Sequence, residues 1–244
     1  MFIKVINPNT TARMTLAIES SARAGVGPGT RVLAANPSMG PASIESHYDE
    51  ALSVPGVIAE VVDGEPADGY VIACFGDPGL DAAREVASGP VVGIAEAAMR
   101  AATYLGRSFT VVTTLPRTMG RTQELVDRYG VRPYCRSVRA CEIAVLELDR
   151  DPDAGKRVRE ECRIALDVDG AEVIVLGCAG LADLRAELTA ELGVPVVDGV
   201  AAAVAAVEGL VRLGLTTSRV GEYARPPAKS YSGALGRFQT DGNP

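Results

Sequence analysis

The chain has 244 residues, 47% of them hydrophobic, and a formal net charge of −7. That is enough apolar material for one large domain or two smaller ones with real cores, and the negative balance argues against nucleic acid or an anionic membrane surface as a partner. No apolar run approaches the roughly 20 residues of a membrane span, and the opening "MFIKVINPNT" has no signal-peptide pattern.

In chain order, "FIKVIN" (2–7) reads as a strand and residues 10–25 as a helix, with Thr10 as its expected cap. "RVLAAN" (31–36) is a second strand. A Pro/Ser/Gly-rich loop (37–46) precedes a helix that runs to Val62. "GYVIAC" (69–74) and "PVVGI" (90–94) are strands separated by a helix at 78–88. Short β-branched runs alternating with helices imply buried parallel strands covered on both faces. The pattern then restarts. "SFTVVTT" (108–114) resembles "FIKVIN", a helix is expected from Arg117 to Tyr129, "AEVIVLGC" (171–178) resembles "GYVIAC", and "VPVVDG" (194–199) resembles "GPVVGI". Cys178 follows Cys74 by 104 residues, Pro195 follows Pro90 by 105, and Thr113 follows Asn7 by 106. Constant offsets of this kind indicate an internal duplication. The tail, 223–238, lacks periodicity and is expected to pack back on the first unit, giving one domain of 1–96 plus 206–244 and a second of 97–205.

Several chemistries are disfavoured by residue counts. His47 is the only histidine, which argues against a Ser–His–Asp triad or a multi-histidine metal site. No C-x-x-C, GxGxxG or P-loop occurs, and the three lysines, at 4, 156 and 229, have no recognisable Schiff-base setting. An enzyme of this composition is expected to work with no metal and no organic cofactor. Five cysteines form no disulfide-like framework, which points to a reducing cytoplasm.

Two of those cysteines stand out. Cys74 and Cys178 each close an apolar strand and precede a glycine-bearing turn, the position where open αβ sheets hold ligands. Asn7, Asn9, Thr113 and Thr114 end the first strands of the two units and are expected in the same crevice. Asp77 and Pro78 suggest a helix N-terminus beside Cys74, whose positive potential would lower the thiol from roughly 8.5 toward the working range. Thiols on opposite walls suit proton removal on one face of a planar intermediate and return on the other. Taken singly, either cysteine would read as a buried structural residue. Cys135, Cys141 and Cys162 lack the setting and are read as structural, and His47 as an exposed or helix-start residue.

"VINPNTTARMT" (5–15), "PASIESHYDEALSVPG" (41–56), "CFGDPGLDAARE" (74–85), "GIAEAAM" (93–99), "GAEVIVLGCAGL" (170–181) and the "KSYSGAL" tail together resemble the hydantoin racemase branch of the aspartate/glutamate/hydantoin racemase superfamily. The resemblance implies an α/β fold of two pseudo-symmetric Rossmann-like domains with parallel sheets. It implies an active site in the cleft between them and a cofactor-independent two-cysteine mechanism with Cys74 and Cys178 as the catalytic pair. Glutamate racemases carry Asn-Thr after the first cysteine and Thr-His after the second. Here Phe75-Gly76 and Ala179-Gly180 stand there, which suits a neutral ring held by backbone N–H groups better than a free amino acid. Ser43, Ile44 and Phe75 are expected to shape the pocket for the ring's side group.

The expected function is racemisation of 5-monosubstituted hydantoins at C5, with a small-molecule hydantoin substrate and a homo-oligomeric assembly. Allantoin racemase is the nearest alternative, since allantoin is a hydantoin bearing a ureido group at that carbon. Free amino-acid racemases and a maleate-isomerase-like enzyme with a nucleophilic cysteine follow. A non-catalytic small-molecule binding protein is the alternative from another class.

Overall fold

The computed structural model describes residues 1–240. Two four-stranded sheets, all parallel, carry the fold. The first contains β1 (Phe2–Ile6), β2 (Arg31–Ala35), β3 (Gly69–Ile72) and β4 (Val91–Gly93) in the order β2-β1-β3-β4. The second contains β5 (Phe109–Thr113), β6 (Cys135–Ala140), β7 (Val173–Leu176) and β8 (Val196–Asp198) in the order β6-β5-β7-β8. The matching orders are the duplication expected from the sequence offsets. β6 and the helix after it were not foreseen, because "CRSVRA" is a polar edge strand with little hydrophobic signal.

Eight α-helices connect the described strands: α1 (Ala12–Ala24), α2 (His47–Val62), α3 (Leu80–Val86), α4 (Ile94–Leu105), α5 (Met119–Arg128), α6 (Ala154–Asp167), α7 (Arg185–Leu192) and α8 (Gly199–Arg212). Helices α2 and α3 cover the outer face of the first sheet, and α6 and α7 that of the second. Between the sheets lie α1, α4, α5 and α8, whose side chains form one continuous core with both inner sheet faces. The last helix of each unit crosses over. α4 follows β4 but packs on β7 and β8, and α8 follows β8 but packs on β3 and β4. We propose on this basis the division into 1–96 with 206–244 and 97–205, which passes through both crossing helices. The tail lies on the first unit, where Arg219 donates to the carbonyls of Arg84 and Glu85 and the Tyr223 hydroxyl donates to Asp81. No helix among the described residues is long and apolar enough to cross a membrane.

The crossing helices begin side by side. A Cβ on Gly199 would sit 2.7 Å from the Ile94 carbonyl oxygen, so glycine permits the close approach. Both N-termini need acceptors for their free N–H groups. Asp198 caps α8 in the ordinary way, accepting from the N–H of Val200 at 3.0 Å and of Ala201 at 3.1 Å. Gly93 stands at the same place before α4 and has no side chain to offer. Asp77 fills the role instead, accepting from Ala95 N–H and Glu96 N–H at 3.0 Å each. Its carboxylate occupies the space a Gly93 side chain would need, since a Cβ there would lie 2.2 Å from Asp77 Cγ. Each cap also takes a hydroxyl from the opposite unit: Tyr129 donates to Asp77 at 2.6 Å, and Ser21 donates to Asp198.

This corrects the local reading of residues 77–78. Asp77 is not the cap of the helix that follows it. α3 starts at Leu80 behind a left-handed Gly79, and Asp77 itself has φ 47. Its carboxylate is held instead by three donors from distant parts of the chain, the N–H groups of Ala95 and Glu96 and the Tyr129 hydroxyl. The α1 cap also differs. Thr11, not Thr10, precedes that helix, and Asn9 Oδ1 accepts the Thr11 N–H, while Thr10 ties the Pro41 carbonyl.

Asp77 is 3% exposed, and burial raises its carboxyl to about 6 against the hydrogen bonds from Tyr129, Ala95 and Glu96. A folded pKa above the unfolded one means that folding takes up a proton between about pH 4 and 6. Asp77 therefore contributes most stability below that window and loses it as the pH rises, by on the order of 2–3 kcal/mol. Urea unfolding of wild type and Asp77→Asn across this range should give a stability difference that shrinks in the wild type's disfavour as pH rises. A pH-independent difference would contradict the assignment.

Candidate active site

Cys74 and Cys178 lie two residues beyond the ends of β3 and β7, equivalent central strands of the two sheets. Together they line one cavity of about 180 Å³ between the units. That is smaller than the roughly 300–1,000 Å³ of drug-sized ligand sites and suits a small ring. The turn after each thiol repeats: Asp77 N–H donates to the Cys74 carbonyl at 2.9 Å and Leu181 N–H to the Cys178 carbonyl at 3.1 Å. The N–H groups of Gly76 and Gly180 face the two sulfurs.

The thiols are not activated as the sequence suggested. Each keeps some access to solvent through the cavity, yet protein surrounds it elsewhere. Burial pushes Cys74 up to about 12 and Cys178 to about 11, more than the facing N–H groups lower them. The expected helix N-terminus does not reach Cys74, because α3 begins beyond Gly79. The Cys178 sulfur, Asp77 and Glu50 add like-charge repulsion at Cys74. Both sulfurs therefore rest as thiols, and forming one thiolate opposes forming the second.

Of the other residues expected at the site, Ile44, Phe75, Gly76, Thr113, Thr114 and Ala179 line the cavity. Thr113 Oγ1 donates to the Gly177 carbonyl at 3.2 Å, which ties the ends of β5 and β7 beneath the thiols. Asn7, Ser43 and Gly180 stand outside the lining. Asn7 is spent on loop structure, donating to Asn9 Oδ1 and Thr15 Oγ1 at 3.0 Å each, and Asn9 takes the lining position. Ser43 donates to Glu45 at 3.2 Å. Gly180 meets Cys178 from behind, a Cβ there lying 3.7 Å from the sulfur.

Sequence reasoning missed the polar wall. His47 and Glu50 from the start of α2 face Arg117 and Thr118 from the turn before α5 and Arg121 from its first turn. Arg121 bonds Glu50 across the units and donates to the Gly76 carbonyl at 3.2 Å. On the other side Glu45 accepts the Val145 N–H at 2.7 Å. Arg117 is exposed and makes no ion pair among the described residues. The only hint in the sequence was the i, i+4 spacing of 117 and 121 at a helix start. Cys141 and Cys162 are buried in the outer core of the second unit, and Cys135 starts β6.

The profile of the family described as Asp/Glu/Hydantoin racemase matches residues 3–207. The chain is 50% identical to a hydantoin racemase of Pseudomonas sp. (strain NS671), covering 98% of this chain and 97% of that one. It is also 50% identical to a hydantoin racemase of Rhizobium meliloti, covering 96% and 98%. An allantoin racemase from Klebsiella pneumoniae superposes with a TM-score of 0.96 at 50% identity, covering 98% of this chain and 99% of that one. A glutamate racemase from Francisella tularensis, at 15% identity and a TM-score of 0.61 over 88% of this chain and 83% of that one, shares the fold. A family profile over most of the sequence and half-identical relatives along nearly all of it agree with the paired strand ends and the cavity they share: the chain belongs to the Asp/Glu/Hydantoin racemase family.

Proposed function

We propose that this racemase inverts C5 of 5-monosubstituted hydantoins by passing protons between Cys74 and Cys178, without metal or organic cofactor. The observation that carries the reading is the pair of thiols at equivalent strand ends on one small cavity. One sulfur, as thiolate, takes the C5 proton. The electron pair passes into the adjacent ring carbonyl, and the planar anion receives a proton from the thiol on the opposite face. In the reverse direction the roles exchange. A thiolate formed in a desolvated cavity is a stronger base than one in water, which suits a carbon acid. Repulsion between the sulfurs disfavours a double thiolate, so a thiolate formed at one sulfur faces a thiol at the other, the state that inversion needs. The cavity-lining turn of Phe75 and Gly76 brings backbone N–H groups near the place where the oxyanion would develop. The five cysteines, all free, support a reducing cytoplasm as its compartment. A homo-oligomer is part of this reading: Tyr104 (85% exposed), Leu105 and Leu213 leave apolar surface uncovered.

Allantoin is the second candidate substrate. The observation favouring it is Arg117, an unpaired donor on the cavity wall that can reach a carbonyl oxygen at the end of a ureido substituent. A panel of alkyl, aromatic and ureido hydantoins, with free aspartate and glutamate, ranks the possibilities. Ring substrates should racemise and the amino acids should not, and efficient aspartate or glutamate turnover with inert hydantoins overturns the assignment. Arg117→Met should lower kcat/KM for allantoin more than for the isobutyl analogue.

Cys74→Ser and Cys178→Ser should fold, and each should lose racemisation, because serine is a far weaker acid. In deuterium oxide each remaining thiol should still exchange the C5 proton of one enantiomer, opposite for the two variants, as read by NMR. Exchange of the same enantiomer by both would place the thiols on one face. Activity should survive exhaustive chelation. With both thiols pushed up, kcat/KM should climb between about pH 7 and 9 instead of levelling off.

A further inference from the structure

The two units treat their thiols differently, and the difference traces to one swapped cap. Asp77 and Leu181 are counterparts, each three residues after its cysteine, with its N–H on the cysteine carbonyl. Gly93 and Asp198 are counterparts, each preceding a crossing helix. In the second unit the carboxylate that caps the helix sits at the strand end, and the turn after Cys178 carries a buried leucine instead. In the first unit the carboxylate sits on the cysteine's own turn. The Cys74 turn is thus pinned at three points, the N–H groups of Ala95 and Glu96 and the hydroxyl of Tyr129. Tyr129 belongs to the opposite unit and is 7% exposed. The matching hydroxyl, Ser21, reaches Asp198, which is not on the Cys178 turn.

We propose that Tyr129 is a positioning residue for Cys74 alone: through Asp77 it fixes the Cys74 turn to the second unit, while among the described residues no side-chain hydrogen bond from the opposite unit reaches the Cys178 turn. Asp77 holds a left-handed backbone, φ 47, that a non-glycine residue keeps only when its surroundings hold it there. Loss of the Tyr129 hydroxyl removes one of three anchors and lets the turn relax, and the sulfur three residues earlier moves with it. Displacements of this kind near a reacting atom cost up to about 100-fold in rate.

This inference rests on the proposed two-thiol chemistry for its catalytic readout, and a second readout frees the test from that dependence. Tyr129→Phe is made in wild type, in Cys178→Ser and in Cys74→Ser. Proton exchange at C5 should fall by about tenfold or more in the Cys178→Ser background, where only Cys74 works, and stay within about twofold in the Cys74→Ser background. Retained exchange in the second background also reports an intact fold. Ser21→Ala, the pseudo-symmetric control, should leave both exchanges unchanged. In parallel, iodoacetamide alkylation of Tyr129→Phe, resolved by peptide mass spectrometry, should change several-fold at Cys74 and not at Cys178. Equal losses in the two backgrounds, or equal changes in alkylation, overturn the inference. Absence of exchange in both single-cysteine parents overturns the two-thiol reading, and the alkylation ratio then decides the positioning role by itself.

Discussion

Two buried carboxylates hold the centre of this protein. Asp77 and Asp198 each close the N-terminus of a helix that leaves its own sheet and packs on the other one. A crossing helix that starts in the middle of the molecule cannot leave its first N–H groups to water, so an acceptor must be brought to it. Removing such a cap costs about 0.5–2 kcal/mol in ordinary helices. Here each carboxylate also takes a hydroxyl from the opposite unit, so losing it would break contacts on both sides of the cleft. The cavity exists because these starts are fixed: β3 and β7 end beside them, and the thiols follow.

Pseudo-symmetry explains the pairing of the thiols, and its local failure explains their differences. A duplicated strand, turn and helix puts Cys74 and Cys178 at equivalent ends with equivalent N–H groups of Gly76 and Gly180 facing them. The cap then breaks the equivalence. With its acceptor moved onto the Cys74 turn, the first unit places a carboxylate near that sulfur, which adds to the repulsion that Cys178 and Glu50 exert. The second unit keeps its acceptor at the strand end, and Cys178 feels Cys141 and Glu45 instead. Burial is the largest cause at both sulfurs and pushes both up, to about 12 at Cys74 and about 11 at Cys178, while the smaller charge effects come from different neighbours.

The two parallel sheets, the crevice at their strand ends and the place of the two cysteines beside it were legible in the sequence because they follow from short-range signals. "GYVIAC" and "VIVLGC" are buried β-branched runs that end in a turn, and the offsets between units are constant. What sequence reading missed depends on contacts between distant residues. Asp77 looked like a local cap because Asp-Pro is good helix-start chemistry, and its true partners lie 18, 19 and 52 residues away. The polar wall of the cavity joins α2 to α5 through Glu50 and Arg121, 71 residues apart, and no periodicity marks such a pair. Asn7 has the right position at a strand end but is consumed by the loop that Asn9 and Thr15 complete. Edge strand β6 escaped because its exposed face is polar and its pattern is weak.

The thiol environment corrects a common assumption about reactive cysteines. An exposed helix N-terminus would make a ready nucleophile, with a low pKa and a stable thiolate. That state is a poor base for a carbon-bound proton, because a thiolate that is comfortable in water has little drive to take it. This cavity does the opposite. Burial keeps both sulfurs protonated at rest, and the N–H groups of Gly76 and Gly180 limit the penalty without removing it. A thiolate formed there gains more from accepting a proton than one in solvent does. In the proposed mechanism its partner, still a thiol, gives one back. In the proposed two-thiol mechanism, the desolvation that keeps the sulfurs protonated at rest also strengthens whichever thiolate forms as a base toward carbon, so burial and the proposed function share one physical cause.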